Sequence, residues 1–217
     1  MTIVSPLPDG GWVDHIFWGV PDTEAAVELV AERTGVRANI GMQPEPSFPT
    51  LAAAISLGHG RFFEIHGPNP DYVGPDHFLH GLLSSLREPR LLLWYARSAD
   101  LDRTAEQLAA ANERFEPWAA AAEEWDNADH STYRAGCIAG ENLNPSIPYL
   151  IEWRNREDLD TKLVGGLSLA RLWVLAKDPQ RTAAVHELLG VDVPIESADR
   201  DGFGVELDTP NGLVRFD

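Results

Sequence analysis

The sequence predicts an α+β fold in which antiparallel sheet is backed by helices, and three observations carry that prediction. A strand-like segment followed by a helix-like one occurs three times. Each helix is followed by β-like sequence rather than by another helix. The turn between strand and helix holds an aspartate each time, at Asp22, Asp100 and Asp178, in two equal steps of 78 residues. Strands that follow one another without an intervening helix pair antiparallel, which sets the class as α+β.

The elements follow in order. In the first copy WVDHIFWGV is rich in aromatic and β-branched residues and reads as a strand. PDTEAAVELVAERTGV has apolar residues at helical spacing, with Asp22 or Thr23 to cap it and Gly35 to end it. LAAAISLGHGRFFEIHGP reads as two strands joined by a tight turn at Gly58, His59 and Gly60. Residues 71–86 read as a helical or looped linker. The second copy opens with LLLWYARSADLDRTAEQLAAAN, passes through a long polar insertion, and returns to a strand in PYLIEWR. The third runs LARLWVLAKDPQRTAAVHELLGV, ends its helix at Gly190, and closes with two strands around Pro210, Asn211 and Gly212. The second and third copies share Arg-Thr-Ala, at Arg103 to Ala105 and Arg181 to Ala183. The unit is thus β–α–β–β with room for one more strand after the helix. The whole chain, 1–217, is expected to be one domain with repeats at about 11–70, 90–156 and 167–217.

Composition narrows the function. A formal net charge of −17 opposes nucleic-acid binding, which needs basic patches, and it suits solubility or a cationic ligand. No stretch approaches the roughly 18 apolar residues of a membrane helix. The first residues, MTIVSPLPDGG, lack the basic start and apolar core of a signal peptide. Cys137 is the single cysteine and has no internal disulfide partner. A cytoplasmic protein without membrane contact is expected.

Within the copies, His15 stands in an apolar strand, where an unpartnered ring nitrogen costs about 1–3 kcal/mol. The residues alone leave it open between a satisfied structural histidine, a ligand contact and a metal ligand. Strand parity puts Val13, His15 and Phe17 on one face, and Phe62, Glu64 and His66 on one face. The pair His77 and His80 is explained equally well by a surface helix. The acidic insertion EPWAAAAEEWDNADH reads as a lid, a dimer contact or a polar helix. Trp18, Trp94 and Trp153 near the strands hint at a flat aromatic ligand.

VDHIFWGVPDTEAAV, SLGHGRFFEIHGP and PYLIEWR, in that order, resemble the glyoxalase-like proteins of the vicinal oxygen chelate superfamily. The resemblance implies paired βαβββ modules whose mostly antiparallel sheet curls around a cleft, with a third partial repeat. It also implies metal ligands on the first and last strands of the paired modules. Carried over by this chain's own repeat, these are His15, Glu64 and Glu152, while Leu93 stands where a fourth ligand is usual. The third copy offers Arg171 and Arg215 at those positions. One imidazole and two carboxylates suit Zn²⁺, Mn²⁺, Fe²⁺ or Ni²⁺, with the metal as Lewis acid. Phe17, His66, Tyr95 and Arg154 are the expected substrate contacts, His66 as a further ligand or a proton shuttle. The implied function is a divalent-metal-dependent isomerase, lyase or dioxygenase acting on a small oxygenated metabolite. The alternative is a metal-free protein that binds or sequesters an aromatic or cationic small molecule, like the family's bleomycin-resistance binders. A monomer and a homodimer are both compatible with it.

Overall fold

The computed structural model of the chain describes residues 13–40, 46–118, 132–154 and 162–217. Among them the fold is α+β, and each copy runs strand, helix, then three strands. The first copy comprises β1 (Val13–Gly19), α1 (Thr23–Thr34), β2 (Asn39–Ile40), β3 (Thr50–Gly58) and β4 (Arg61–Pro68). A short helix, α2 (Phe78–Ser84), precedes the second copy of β5 (Arg90–Arg97), α3 (Leu101–Ala110), β6 (Phe115–Pro117), β7 (Thr132–Ile138) and β8 (Tyr149–Arg154). The third holds β9 (Ser168–Ala176), α4 (Pro179–Leu189), β10 (Ile195–Ser197), β11 (Gly202–Thr209) and β12 (Gly212–Phe216). The third copy runs through its elements in the same order as the first two. Its extra strand, β10, is only three residues long, too short to leave an alternating pattern in the sequence. Pairing is antiparallel for β2–β3, β3–β4, β6–β7, β7–β8 and β11–β12. It is parallel for β5–β8 and β9–β10.

The evenly spaced aspartates have one physical task. Asp22, Asp100 and Asp178 each sit at an N-cap, and each accepts the amide of the residue three positions on, Ala25, Arg103 and Arg181, at 3.0 Å. A helix leaves its first amides without partners, and such a cap stabilises by about 1 kcal/mol. The shared Arg-Thr-Ala follows from this. The arginine supplies the capped amide, and the threonine next to it, Thr104 or Thr182, is buried. Gly35 and Gly190 end α1 and α4 in the left-handed conformation, with φ of 78° and 76°, where a side chain would be strained.

The chain divides into two compact units whose boundaries cut across the copies. One takes Met1–His15, Leu93–Leu159 and Leu172–Phe203; its strands follow the order β1-β5-β8-β7-β6, with Val13–His15 as its share of β1. Its core centres on the fully buried Trp94, Tyr149, Leu108 and Ile147, and the Trp94 indole N–H donates to the Pro145 carbonyl at 3.1 Å. The other takes Ile16–Leu92, Asp160–Arg171 and Gly204–Asp217, with strands in the order β2-β3-β4-β1. Trp18, Phe63 and Phe216 pack in its core at ring separations of 5.1 to 5.8 Å. Its β11–β12 hairpin also grips α1. Asn211 donates to the Glu32 carbonyl at 3.2 Å, and Arg33 donates to the Arg215 carbonyl while lying 4.5 Å over the Phe216 ring.

Candidate functional site

In the unit that begins at Ile16, β4 sorts its residues by parity. Phe63 and Ile65 are buried on one face, where Phe63 meets Trp18 and Phe216. Glu64 and His66 lie on the other, opposite Ala54 and Ala52 of β3. The Glu64 and His66 side chains are each 14% exposed, and Glu64 Oε2 lies 3.1 Å from His66 Nε2. A carboxylate only accepts, so Nε2–H is the donor of this contact. His66 Nδ1 is buried and, among the described residues, has no hydrogen-bond partner. Phe17 stacks on the imidazole at 4.2 Å and 17°, so the ring's plane is set by packing.

The unit that contains Leu93 holds the second polar cluster, built on a residue absent from the expected set. Asp14 is 0% exposed, and its carboxylate accepts from Arg97 Nε at 2.6 Å and from the Trp153 indole at 3.2 Å. His15 Nδ1 lies 2.8 Å from the same carboxylate, and the His15 ring stacks on Tyr95 at 3.9 Å and 18°. His15 and Tyr95 are both buried. The signal for Asp14 was an acid inside the aromatic run VDHIFW. Nothing in the sequence pointed to Arg97 as its partner, 83 residues away.

Glu152 belongs to that same unit and faces its helix. It is the direct cross-strand partner of Arg134, and its Oε2 accepts from Arg134 Nη2 at 2.6 Å. The same oxygen accepts the amide of Leu101, the first residue of α3, at 2.9 Å. Arg134 also reaches both oxygens of Asp102 at 3.0 Å. Burial works to lower the Arg134 pKa, but Glu152 and Asp102 outweigh it and hold the guanidinium above its ordinary value. Glu152 thus anchors a cation and a helix N-terminus, where a carboxylate is favoured by the helix dipole. A divalent ion on that oxygen would face the Arg134 guanidinium at hydrogen-bond range, so Glu152 as placed does not fit a metal ligand. Leu93 is a buried leucine with no donor to offer. Among the described residues no group of three or more His, Cys, Asp or Glu side chains is placed to hold a metal ion.

The remaining candidates are placed as follows. Arg154 ends β8, and its side chain lies outside the described residues, as does the insertion from residue 119 to 131. His77 caps α2 by accepting the Leu79 amide at 3.2 Å, and His80 contacts the Asn69 carbonyl. Cys137 is buried, and burial raises its pKa.

The family described as glyoxalase-like domain matches residues 13–189. No curated protein matches the sequence. Among solved structures, a hypothetical protein from Staphylococcus aureus is 10% identical with a TM-score of 0.56, over 94% of this chain and 98% of that one. A methylmalonyl-CoA epimerase from Mycobacterium tuberculosis is 16% identical with a TM-score of 0.44, over 74% of this chain and 95% of its own. One from Streptomyces coelicolor, in complex with 2-nitronate-propionyl-CoA, is 17% identical with a TM-score of 0.45, over 68% and 98%. For the Staphylococcus aureus protein, at 10% identity, the likeness is one of fold.

Proposed function

The chain belongs to the glyoxalase-like domain family, and from that premise we propose that it binds a small organic molecule without a divalent ion on His15, Glu64 and Glu152. The observation that carries this reading is the Arg134 guanidinium on Glu152 at 2.6 Å, shared with the Leu101 amide. Each expected carboxylate already has a cationic or N–H partner from its own unit, Arg134 for Glu152 and His66 for Glu64. The half-buried Glu64 and His66 are the polar groups offered to a ligand, with Phe17 as the plate beneath them. Ligand sites of this kind combine apolar walls with a few placed polar groups. An oxygenated molecule meets the exposed part of this pair with a hydroxyl that donates to the Glu64 carboxylate. The net charge of −17 favours a neutral or cationic ligand over an anionic one.

Metal content and metal-induced stabilisation test the reading together. Protein purified without chelator is expected to hold well under one metal per chain by elemental analysis. Zn²⁺, Mn²⁺, Fe²⁺ and Ni²⁺ are expected to leave the melting temperature unchanged. A specific ion at a hundred times its Kd would add about 2.7 kcal/mol. Near-stoichiometric metal that disappears in His15→Ala would overturn the proposal.

A further inference from the structure

We propose that Asn211 is a deamidation site, and that its conversion to aspartate loosens the β11–β12 hairpin from the end of α1. Three observations lead to it. Asn211 and Gly212 are both exposed at the hairpin turn, and no other asparagine of the chain stands before a glycine. The Asn211 carboxamide is itself a contact of the fold, since Nδ2 donates to the Glu32 carbonyl at 3.2 Å and to the Arg33 carbonyl at 3.4 Å. Those carbonyls belong to the last turn of α1, whose oxygens have no partner within the helix. The approach is close: a methyl group on Gly35 would stand 3.0 Å from Asn211 Oδ1 and 3.3 Å from Pro210 Cβ.

The reaction needs only water. The Gly212 nitrogen, which no side chain shields, loses its proton and bonds to Asn211 Cγ. The Cγ–Nδ2 bond breaks with its electron pair on nitrogen, and ammonia departs with the proton. Water then opens the five-membered imide at either carbonyl, leaving aspartate or isoaspartate at position 211. The Thr209 hydroxyl holds the turn between reactive openings, accepting the Asn211 amide at 3.1 Å and donating to the Gly212 carbonyl at 2.7 Å. Gly212 pairs with Thr209 at the turn end of the ladder, where local opening takes far less free energy than unfolding the unit.

The product reverses the contact. A carboxylate only accepts, so two N–H donors give way to an anion that faces two carbonyl oxygens. The C-terminal end of a helix carries partial negative charge, which disfavours an anion there. The grip on α1 then rests on Arg33 and Phe216. Loss of ammonia is not undone in place, so the site records the age of the folded chain.

Unaltered protein held at mildly alkaline pH and sampled by peptide mass spectrometry reads the modification without any variant. The Asn211 peptide is expected to convert ahead of every other asparagine peptide, and anion exchange to resolve a species with one more negative charge. Another asparagine converting first, or no conversion at Asn211, overturns the site. Asn211→Asp and Asn211→Ala, compared side by side, read the consequence, because the alanine only removes the two bonds while the aspartate adds the anion. Asn211→Asp is expected to melt about 2–4 °C below the parent, the shift of one lost hydrogen bond in a chain of this length. It should also melt below Asn211→Ala at low salt, with the gap closing at about 1 M salt. Backbone hydrogen exchange should quicken in the last turn of α1 and in β12, in Asn211→Asp and in the aged parent alike. Melting of Asn211→Asp at or above the parent, the result of a new pair with Arg33, overturns the loosening, as does a melting point equal to that of Asn211→Ala at low salt.

Discussion

Removing the Asp14 carboxylate should be among the costliest single changes to the unit that contains it. Asp14 is fully buried and answers Arg97, Trp153 and His15 at once. Asp14→Ala leaves the Arg97 guanidinium without its carboxylate. Breaking a buried pair in this way costs about 3–5 kcal/mol. The Arg97 side chain is 23% exposed, so water recovers part of the loss, and the lower end, about 3 kcal/mol, is expected. For a chain of this length that lowers the melting temperature by about 6–12 °C. Urea unfolding followed by tryptophan fluorescence measures the free energy, with Arg97→Ala and the double variant completing a cycle. The double variant should be about 2 kcal/mol more stable than additivity predicts, because the two side chains are direct partners and each single change already removes the pair. A single-variant loss under about 1 kcal/mol, or two losses that simply add, would refute the view of Asp14 as a shared buried anchor.

Two further outcomes follow from burial. His186 donates from Nε2 to the Ser146 carbonyl at 2.9 Å, and burial pushes its pKa below the ordinary 6.5. The unfolded chain then binds a proton that the folded one refuses, so stability declines as pH falls through about 6.5 toward the folded value, by at most about 1.4 kcal/mol per pH unit. His186→Gln should flatten that acid limb in urea melts at stepped pH, and an unchanged slope would contradict it. Burial pushes the Tyr149 phenol up to about 12, so the tyrosinate absorbance step missing from Tyr149→Phe should lie near that pH and not well below it.

The repeat was legible because it is written in local chemistry. A cap aspartate and a helical period act within one helix in all three copies, and a terminal glycine adds to them in the first and third. The strand faces were legible in part. Parity put Glu64 and His66 together, and they are together at 3.1 Å. Parity also separates Glu152 from Trp153, but it does not say which face meets the helix. That is decided by register, by Arg134 standing opposite Glu152, and by the Leu101 amide arriving from 51 residues away. An alignment of copies places residues at equal depth in a strand and is silent about what the opposite strand brings. The Asp14 network was hidden for the same reason, since its partners come from β5 and β8.

The grip of the last hairpin on α1 has a consequence for synthesis on the ribosome. The carbonyl of Arg215 meets the Arg33 guanidinium across 182 positions of chain, and Phe216 fills the space beside Trp18 and Phe63. Until residues 204–217 have been made, α1 waits with the aromatic wall of Trp18 and Phe63 uncovered. Folding of that unit is therefore late although its first element is early, and closing so long a loop is slow. A nascent chain of this kind spends its elongation time with the Trp18 face exposed to whatever else is in reach.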